Sequence, residues 1–293
     1  MKNFDSIKGI LTLKICFFAV LALLYGVLCL EPLYVNSAIH AENNSPQRII
    51  SLVPVLTEEL YLLGVENRLI ANTSYCKRPP AAEKKEKIGS GMKISVEKIL
   101  YLEPDLILAK WYSNQKQIEK LRNLGMEVKI FPDVKNFSGI CEELIELSKT
   151  IGSEDKSKQI VRRAKNKVSS IQRKIKDLSK PKVLVQIGAK PLWVATKDSF
   201  INDFIKLAGG INIGPSGKSG LYSREKVLEQ NPDVIIIVTM GIVGEQEKET
   251  WQKYKTLNAA KNNRIHIVDS YKVCSPTPVS FVEVLEEIVE ILH

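Results

Sequence analysis

Residues 153–179 read SEDKSKQIVRRAKNKVSSIQRKIKDLS, and this stretch organises the chain. Apolar side chains recur along it in steps of three and four, which predicts one long helix with a narrow apolar stripe. Ser153 is a suitable N-cap, and Pro181 cannot continue the hydrogen-bond ladder. At about 1.5 Å per residue the helix would span roughly 40 Å, which suits a rigid connector between two bodies. The predicted stripe consists of Ile160, Ala164, Val168, Ile171, Ile175 and Leu178.

A repeated segment lies on either side of this stretch. Residues 95–105 and 223–233 share the pattern Ser-x-Glu-Lys-(Ile/Val)-Leu-x-x-x-Pro-Asp at identical spacing. Each copy reads as a helix and a Pro-Asp turn that lead into an almost uninterrupted apolar strand, which is typical of a parallel sheet covered on both faces. The sequence therefore predicts an α/β fold of two lobes, whose mainly parallel sheets are flanked by helices and joined by the one long rigid helix.

The predicted organisation has four parts. Residues 1–41 form a signal peptide or N-terminal anchor, and residues 47–152 form an N-terminal α/β lobe. Residues 153–180 form the connecting helix, and residues 181–293 form a C-terminal α/β lobe.

The first of these parts determines the expected location. Three lysines precede an uninterrupted apolar run over residues 15–30, which is the layout of a secretory signal. Cleavage after Ala41, lipidation at Cys29 and retention as an anchor all stay open. Each outcome places the folded part in the periplasm or on the outer face of the cytoplasmic membrane.

The charge of the chain is unevenly distributed. The formal net charge is +9, and residues 154–180 alone carry ten basic and three acidic side chains. The excess is thus local to the predicted connecting helix, either as a solvated face or as a contact with an anionic membrane surface. A nucleic-acid-binding protein would line a groove with basic, aromatic and polar side chains, so this class is not expected.

The cysteines and histidines beyond the leader are few. Because three cysteines without a close pair allow at most one disulfide, the fold cannot depend on a disulfide framework. These side chains do not occur at zinc or copper spacing, and the sequence has neither a dinucleotide-binding fingerprint nor a nucleophile elbow. The sequence therefore predicts no resident cofactor, no metal ligands and no catalytic residues. The side chains concerned are Cys76, Cys141, Cys274, His266 and His293.

Aromatic residues follow several of the predicted strands. Ligands of open parallel sheets collect beyond the carboxyl ends of the strands, so these rings would line one cleft if the two lobes face each other. Aromatic faces contribute contact area at low entropic cost and suit a large flat ligand. The alternative is that each ring packs locally. The candidate ligand-binding rings are Tyr75, Trp111, Tyr112, Trp193, Tyr222 and Tyr271.

As a set, several segments resemble the periplasmic substrate-binding proteins for vitamin B12 and iron-siderophores. The similarity covers residues 47–292 and is greatest to the cobalamin-binding branch. It implies two α/β lobes joined by one rigid helix, in agreement with the fold predicted above. The segments that carry it are 51–58, 74–80, 95–107, 208–212, 223–235 and Ser275-Pro276.

The resemblance also implies ligand and docking residues. Tyr75, Trp111, Trp193 and Asp269 lie at or next to positions where cobalamin binders contact the corrinoid. This chain lacks two tryptophans and an arginine that the family pattern leads one to expect, at or near Ser90, Leu221 and Val273. The cleft is therefore expected to hold cobalamin or another corrinoid, with a ferric siderophore or haem as the alternative.

Two glutamates match the family's docking residues, one in each lobe. Glu58 and Glu225 are implied to meet arginines of a membrane permease, because exposed charge pairs favour orientation and rapid encounter. Thr57 is predicted to cap a helix whose first turn holds Glu58 and Glu59. The alternative is that both docking candidates are helix-start carboxylates that serve only the helix dipole.

Together these features predict a non-enzymatic extracytoplasmic solute-binding protein. It would capture a metal chelate between its lobes and deliver it to an ABC importer. The expected partners are an ABC-type permease and the chelate, and the protein is expected to be a monomer. An anchored chelate sensor, or a chelate-processing enzyme built on the same lobes, is the alternative class.

Overall fold

A computed structural model describes residues 45–238 and 244–293, and Pro46–His293 forms one compact unit. The predicted leader at residues 1–41 lies outside the described residues. Every helix within residues 45–238 and 244–293 is too short or too polar to cross a bilayer. The predicted boundaries at residues 152, 153, 180 and 181 remain predictions.

The N-terminal lobe is built on a five-stranded parallel sheet in the order β3-β2-β1-β4-β5. Every residue of its central strands β1 and β4 is buried, as expected for a sheet that helices cover on both faces. The strands are β1 Ile49–Ser51, β2 Leu69–Asn72, β3 Glu86–Lys87, β4 Leu106–Lys110 and β5 Val128–Phe131. The helices are α1 Pro54–Leu62, α2 Pro80–Glu83, α3 Val96–Tyr101, α4 Gln115–Asn123 and α5 Phe137–Ile151.

The C-terminal lobe has a second five-stranded sheet. Strands β10, β9, β6 and β7 follow one another, and β8 also pairs with β6. All pairs are parallel except β6 with β7, so the predicted two-lobed α/β class with mainly parallel sheets is confirmed. The strands are β6 Lys182–Gly188, β7 Trp193–Val194, β8 Ile211–Asn212, β9 Val234–Ile237 and β10 Ile265–Ile267.

Helix α6, Glu154–Ile175, follows α5 and leads into the second lobe. The remaining helices surround the second sheet. They are α7 Ile201–Leu207, α8 Arg224–Gln230, α9 Gly244–Gln252, α10 Asn258–Lys261, α11 Ser270–Cys274 and α12 Pro278–Leu292.

The sequence repeat has the same structural role in both lobes. Ser95 and Ser223 cap α3 and α8, each accepting a hydrogen bond from the backbone N–H three residues later at 3.1 and 3.3 Å. The aspartates that end the two copies, Asp105 and Asp233, accept the backbone N–H groups of Arg48 and Lys182 at 3.0 and 2.8 Å. Each repeat copy therefore fixes the start of the strand that lies beside the strand into which the copy leads.

Helix α6 is continuous, but several of its predicted details are wrong. It ends at Ile175, so it spans about 33 Å rather than 40 Å at the usual rise per residue. Val161 occupies the buried stripe in place of Ile160, and Leu178 lies beyond the helix and is 46% exposed. The side chain of Ser153 makes no capping hydrogen bond.

The helix is also not a free-standing rod. Its stripe packs against α5 and α12, and it belongs to the same buried apolar cluster as residues of both sheets. An apolar stripe on an otherwise polar helix must be covered, and the last helix of each lobe provides that cover.

An aromatic stack extends this shared core across the lobes. Phe281 of α12 lies 4.7 Å from Phe137 of α5 and 4.0 Å from Phe204 of α7, measured between ring centroids. All three rings are buried. Because packed cores resist continuous deformation, this stack restricts the movement of one lobe against the other.

Candidate functional site

The candidate site lies where the strands of both sheets end. Trp111 directly follows β4, and Tyr75 lies in the loop after β2. On the other lobe Tyr271 follows β10, and Trp193 begins the antiparallel strand β7. Except for Trp193, each ring follows the carboxyl end of a parallel strand, where ligands of open α/β sheets bind.

Four of the predicted rings are not used to build the core. The exposed fractions of Tyr75, Trp111, Tyr112 and Trp193 are 49, 51, 53 and 39%, whereas Trp251 is completely buried. We call these four side chains the rim rings. Trp111 and Tyr112 contact each other edge to face, with centroids 5.7 Å apart. Their exposure favours ligand contact over local packing.

Glycine allows one rim ring to lie close to the backbone. A Cβ atom on Gly91 would lie 3.2 Å from the ring of Tyr75, closer than side chains usually approach. Tyr75 therefore rests against the loop after β3, where this chain has Ser90 instead of the expected tryptophan. Met92 in the same loop is 75% exposed, and no feature of the sequence singled it out.

Local packing accounts for Tyr222. Its ring is half-buried against a second apolar cluster, which includes Leu184, Val194 and Ile213. Its hydroxyl donates to the carbonyl oxygen of Ile213 at 3.4 Å. The neighbouring Leu221 is instead 56% exposed and pairs with Trp193 through the backbone. Leu221 is therefore a better candidate for a lining residue than the tyrosine that follows it.

Tyr271 bridges the two lobes. Its hydroxyl donates to the carbonyl oxygen of Tyr75 at 2.8 Å and accepts the backbone N–H of Lys77 at 3.1 Å. Burial raises the pKa of this phenol, so it remains a neutral donor. Asp269 caps α11 by accepting the N–H of Tyr271 at 2.8 Å. Tyr271 thus links the two lobes and Asp269 fixes the helix that carries it, and the predicted ligand contacts of both remain predictions.

Arg78 links this bridge to Glu58. Its guanidinium lies 4.4 Å from the ring centroid of Tyr271 and 3.1 Å from a carboxylate oxygen of Glu58. The Glu58 side chain is only 15% exposed, and burial raises its pKa against the opposing effect of Arg78. The first docking candidate is therefore engaged inside the protein, contrary to the expected exposed charge.

The local helix prediction around Glu58 is also wrong. Helix α1 begins at Pro54, so Glu58 and Glu59 lie in its second turn. Thr57 is buried within the helix, and its hydroxyl donates to the Cys76 sulfur at 3.2 Å. Proline is favoured in the first turn because its missing N–H has no helical partner there, so Pro54 marks the start of the helix.

Glu225 has a different environment. It is exposed in the first turn of α8, and hydrogen bonds from its own backbone N–H and from Ser223 lower the pKa of its carboxyl. The adjacent Arg224 points inward and pairs with Glu247 at 2.6 Å. Glu225 is therefore free to meet a partner protein, although it also suits the positive end of the helix.

Arg224 begins a buried network that holds this end of α8 against the sheet. Glu247 accepts a hydrogen bond from Gln186 of β6 at 2.8 Å, and Gln186 accepts from the indole of Trp251 at 2.6 Å. The Arg224 guanidinium lies 4.5 Å from the Trp251 ring centroid. Nη1 of Arg224 is buried without a hydrogen-bond partner among the described residues, and the remaining contacts of the network position the surface around Glu225.

A second charged network lies beneath the rim of the N-terminal lobe. Lys110, the last residue of β4, forms an ion pair with Glu143 of α5, and both side chains are at most 5% exposed. Glu59 lies near this pair, is completely buried, and has no hydrogen-bond partner for its carboxylate among the described residues. Burial, followed by the charge of Glu143, raises the pKa of Glu59 well above its usual value.

We expect Glu59→Gln to stabilise the protein more at about pH 8 than at about pH 5. An acid whose pKa is raised on folding loses stability as pH rises from its unfolded to its folded pKa, and glutamine removes this loss. Urea unfolding at both pH values measures the effect. A gain that is equal at the two pH values would show that Glu59 does not carry a raised pKa.

A large cavity lies between the lobes beside Trp111. Its volume is about 1140 Å³, and we call it the interlobe cavity. Segment 133–136 of the N-terminal lobe faces segments 196–203 and 217–218 of the C-terminal lobe across it. Small-molecule sites usually enclose about 300–1,000 Å³, so this space admits a large ligand. Trp111 is the one predicted site residue that lines it.

The described residues offer no direct metal site. Residues 45–238 and 244–293 contain no group of three or more His, Cys, Asp or Glu side chains placed to hold an ion. Cys76, Cys141 and Cys274 are free thiols.

Two α/β lobes, with exposed rings and a large cavity at the carboxyl edges of their sheets, define a two-lobed ligand-binding protein. The chain belongs to the periplasmic binding protein family, whose pattern it matches over residues 49–271. This confirms the resemblance found in the sequence. Proteins of this family are non-enzymatic transport components that supply a small ligand to an ABC permease.

Individual relatives agree with this assignment. The chain is 28% identical to the uncharacterised ABC transporter substrate-binding lipoprotein YvrC of Bacillus subtilis, over 85% of this chain and 80% of that protein. It is 31% identical to a vitamin B12-binding protein of Pectobacterium atrosepticum, over 66% and 71% respectively. The periplasmic vitamin B12-binding protein BtuF of Vibrio cholerae superposes with a TM-score of 0.72 at 25% identity, covering 85% of this chain and 97% of that one.

Proposed function

We propose that this protein captures a metal chelate, foremost cobalamin or another corrinoid, between its lobes and delivers it to an ABC importer. The observation that carries the proposal is the set of four half-exposed rim rings at the carboxyl edges of the two sheets. Such rings cost free energy in water and gain it against a flat apolar ligand. The interlobe cavity beside Trp111 provides the room.

The names of relatives support a corrinoid as the first ligand to test. Vitamin B12-binding proteins are among the relatives, but identity near 30% leaves a ferric siderophore or haem as alternatives. Near the position of the expected arginine lies Val273, which is 1% exposed. The corrinoid contacts must therefore differ in part from those of the relatives.

The structure suits capture with little lobe movement. The stack of Phe137, Phe281 and Phe204 and the bridge from Tyr271 to Tyr75 tie the lobes together on both sides of the cleft. A long helix without hinge residues also resists large rotation. We therefore expect a largely preformed site rather than one that closes by a wide hinge motion.

Tryptophan fluorescence tests the ligand. Trp111 and Trp193 are half-exposed at the rim, so a chelate bound in the cleft should quench their emission. Purified protein is titrated with cyanocobalamin, haem, a ferric tris-catecholate and a ferric tris-hydroxamate. Saturable one-to-one quenching by any of them supports the proposal, and its absence with all four overturns it.

Docking is proposed to use Glu58 and Glu225. Because Arg78 already holds Glu58, an arginine of the permease must compete for that carboxylate, whereas Glu225 is freely available. We expect the Glu58→Gln/Glu225→Gln variant to bind chelate normally and to lower transport about tenfold. Uptake into proteoliposomes that contain the cognate permease measures this.

A matched pair of substitutions controls for the loss of two charges. Glu97 occupies the position equivalent to Glu225 in the other repeat copy, and Glu154 begins α6. Both are exposed, so Glu97→Gln/Glu154→Gln should leave transport unchanged. Equal transport by the two double variants would contradict the docking assignment.

We further propose that the protein acts as a monomer, does not bind nucleic acid, and works in the periplasm or on the outer face of the cytoplasmic membrane. The lipoprotein relative and the apolar run at residues 15–30 support an extracytoplasmic location. Mass spectrometry of the protein from its native membrane distinguishes a cleaved, a lipidated and a retained leader. A full-length chain in the cytoplasmic fraction would contradict this location.

A further inference from the structure

Three lysines on the C-terminal lobe line the interlobe cavity. Lys197 follows β7, Lys206 lies on α7, and Lys218 lies in the glycine-rich loop after β8. They come from separate segments and meet at one cavity, whereas the lysines along α6 are spread over a helix surface. Within the described part of the chain, none of the three forms an ion pair with a carboxylate.

The carboxylates that line the same cavity are already engaged within the protein. Asp133 pairs with Lys135. Asp198 accepts the backbone N–H of Gly217, and Asp203 accepts that of Phe137 across the lobes at 2.8 Å. Three acidic side chains of α5, Glu142, Glu143 and Glu146, line an adjoining hollow that shares residues 133–136 with the interlobe cavity.

This distribution determines the field inside the cavity. Hydrogen bonds to backbone N–H groups and to Lys135 partly neutralise the three aspartates, while the three lysine ammonium groups remain available. Low-dielectric walls strengthen the attraction of such groups for an anion over its value in bulk water. The charged side chains that line the cavity are four lysines and three aspartates, so their formal sum is +1 and the positive excess comes from the C-terminal lobe.

We propose that Lys197, Lys206 and Lys218 bind an anionic group at the periphery of the chelate while its flat body rests on the rim rings. The inference rests on the proposed chelate-binding function and narrows its ligand class to chelates with a peripheral oxyanion. A phosphodiester, a carboxylate and a catecholate oxygen all provide this chemistry. Lysine suits the role, because its flexible stem carries a point charge that needs no fixed bidentate geometry.

The test compares chelates of similar shape that differ in charge. One pair is a trianionic ferric tris-catecholate and an uncharged ferric tris-hydroxamate. The second is cyanocobalamin and dicyanocobinamide, which lacks the phosphodiester, and haem provides the carboxylates. Affinities of the wild type and of the Lys197→Gln/Lys206→Gln/Lys218→Gln variant are measured by fluorescence or calorimetry.

We expect the triple variant to bind the anionic probe at least about tenfold more weakly, because three ammonium groups that attract the anion are lost together. Its affinity for the uncharged probe of the same pair should not change. Raising the salt concentration should weaken binding of the anionic probe to the wild type and have less effect on the triple variant. The pair of chelates whose two affinities change differently in the triple variant identifies which chemical group provides the oxyanion.

A charge-matched control removes three lysines elsewhere. Lys156, Lys165 and Lys174 are exposed on α6, so Lys156→Gln/Lys165→Gln/Lys174→Gln should bind every probe as the wild type does. If the wild type and the Lys197→Gln/Lys206→Gln/Lys218→Gln variant bind an anionic chelate with equal affinity, this inference is overturned while the proposed function stands. An equal loss for both members of a pair would also overturn it. If no chelate binds the wild type, the proposed function itself fails.

Discussion

Replacing Lys110 by methionine is expected to lower the free energy of unfolding by about 3–5 kcal/mol at neutral pH. The substitution leaves the carboxylate of Glu143 without its partner, although its side chain is only 4% exposed. Burial already raises the pKa of Glu143, so the penalty should shrink as the pH falls and the carboxyl becomes protonated. Urea unfolding of the wild type and the variant measures the difference.

Two further variants make this prediction specific. Lys110→Met/Glu143→Leu should recover most of the loss, because replacing both members of a buried ion pair by apolar groups is often neutral. Lys129→Met, on the adjacent strand β5, breaks a surface pair with Glu146 and should cost less than about 1 kcal/mol. If the double variant is as unstable as Lys110→Met, the ion pair is not the source of the loss.

The ion pair of Lys110 and Glu143 also affects the position of two rim rings. Lys110 is the last residue of β4, and the rim rings Trp111 and Tyr112 follow it directly. Its ion pair to α5 fixes the backbone from which these rings extend, and Trp111 lines the interlobe cavity. Lys110→Met should therefore also weaken chelate binding, although Lys110 is not itself one of the residues proposed to contact the chelate.

The second large effect is expected on binding itself. Trp111→Ala/Trp193→Ala should weaken chelate affinity about a hundredfold or more, because aromatic anchors that become buried commonly contribute about 2 kcal/mol each. Both rings are half-exposed in the free protein, so their removal should leave the fold intact. Calorimetric titration with the chelate that binds the wild type measures the loss.

Tyr101 provides the control for removing an exposed ring. Its side chain is 86% exposed on α3, and it is not part of the rim. Tyr101→Ala should bind the chelate as the wild type does. Unchanged affinity in the double tryptophan variant would show that the chelate lies elsewhere.

The architecture was predictable because its signals are local. The apolar period of residues 153–179 indicates a helix whatever surrounds it. The repeat at residues 95–105 and 223–233 encodes a cap, a helix and a turn within eleven residues, and both copies fold alike. Parallel strands could be inferred because β4 and β9 have apolar side chains at nearly every position.

The detail that failed at Glu58 depends on contacts between distant segments. Glu58 was expected to be exposed, but Arg78 covers it and also contacts Tyr271, 193 residues further along the chain. The surface lysines Lys197 and Lys218 carry no distinctive motif, and only the folded chain brings them to one cavity. No spacing rule connects such positions before the fold is known.

The aromatic residues also show that position in the sequence does not reveal which side chains remain exposed after folding. Tyr75 and Tyr222 are the same residue type, and each lies in a loop near a strand. Tyr75 is half-exposed at the rim, whereas Tyr222 packs on the second apolar cluster. Proximity to a strand end therefore identified candidate positions, but the packing of neighbouring loops decided which rings remain free.

Crystals of the protein with a bound cobalt or iron chelate test the central claim most directly, because the metal can be located by its anomalous scattering. We predict a single peak between the lobes, with the chelate against Trp111 and Trp193 and extending into the interlobe cavity. A metal position on the outer surface of either lobe, remote from both tryptophans, would contradict capture in the cleft.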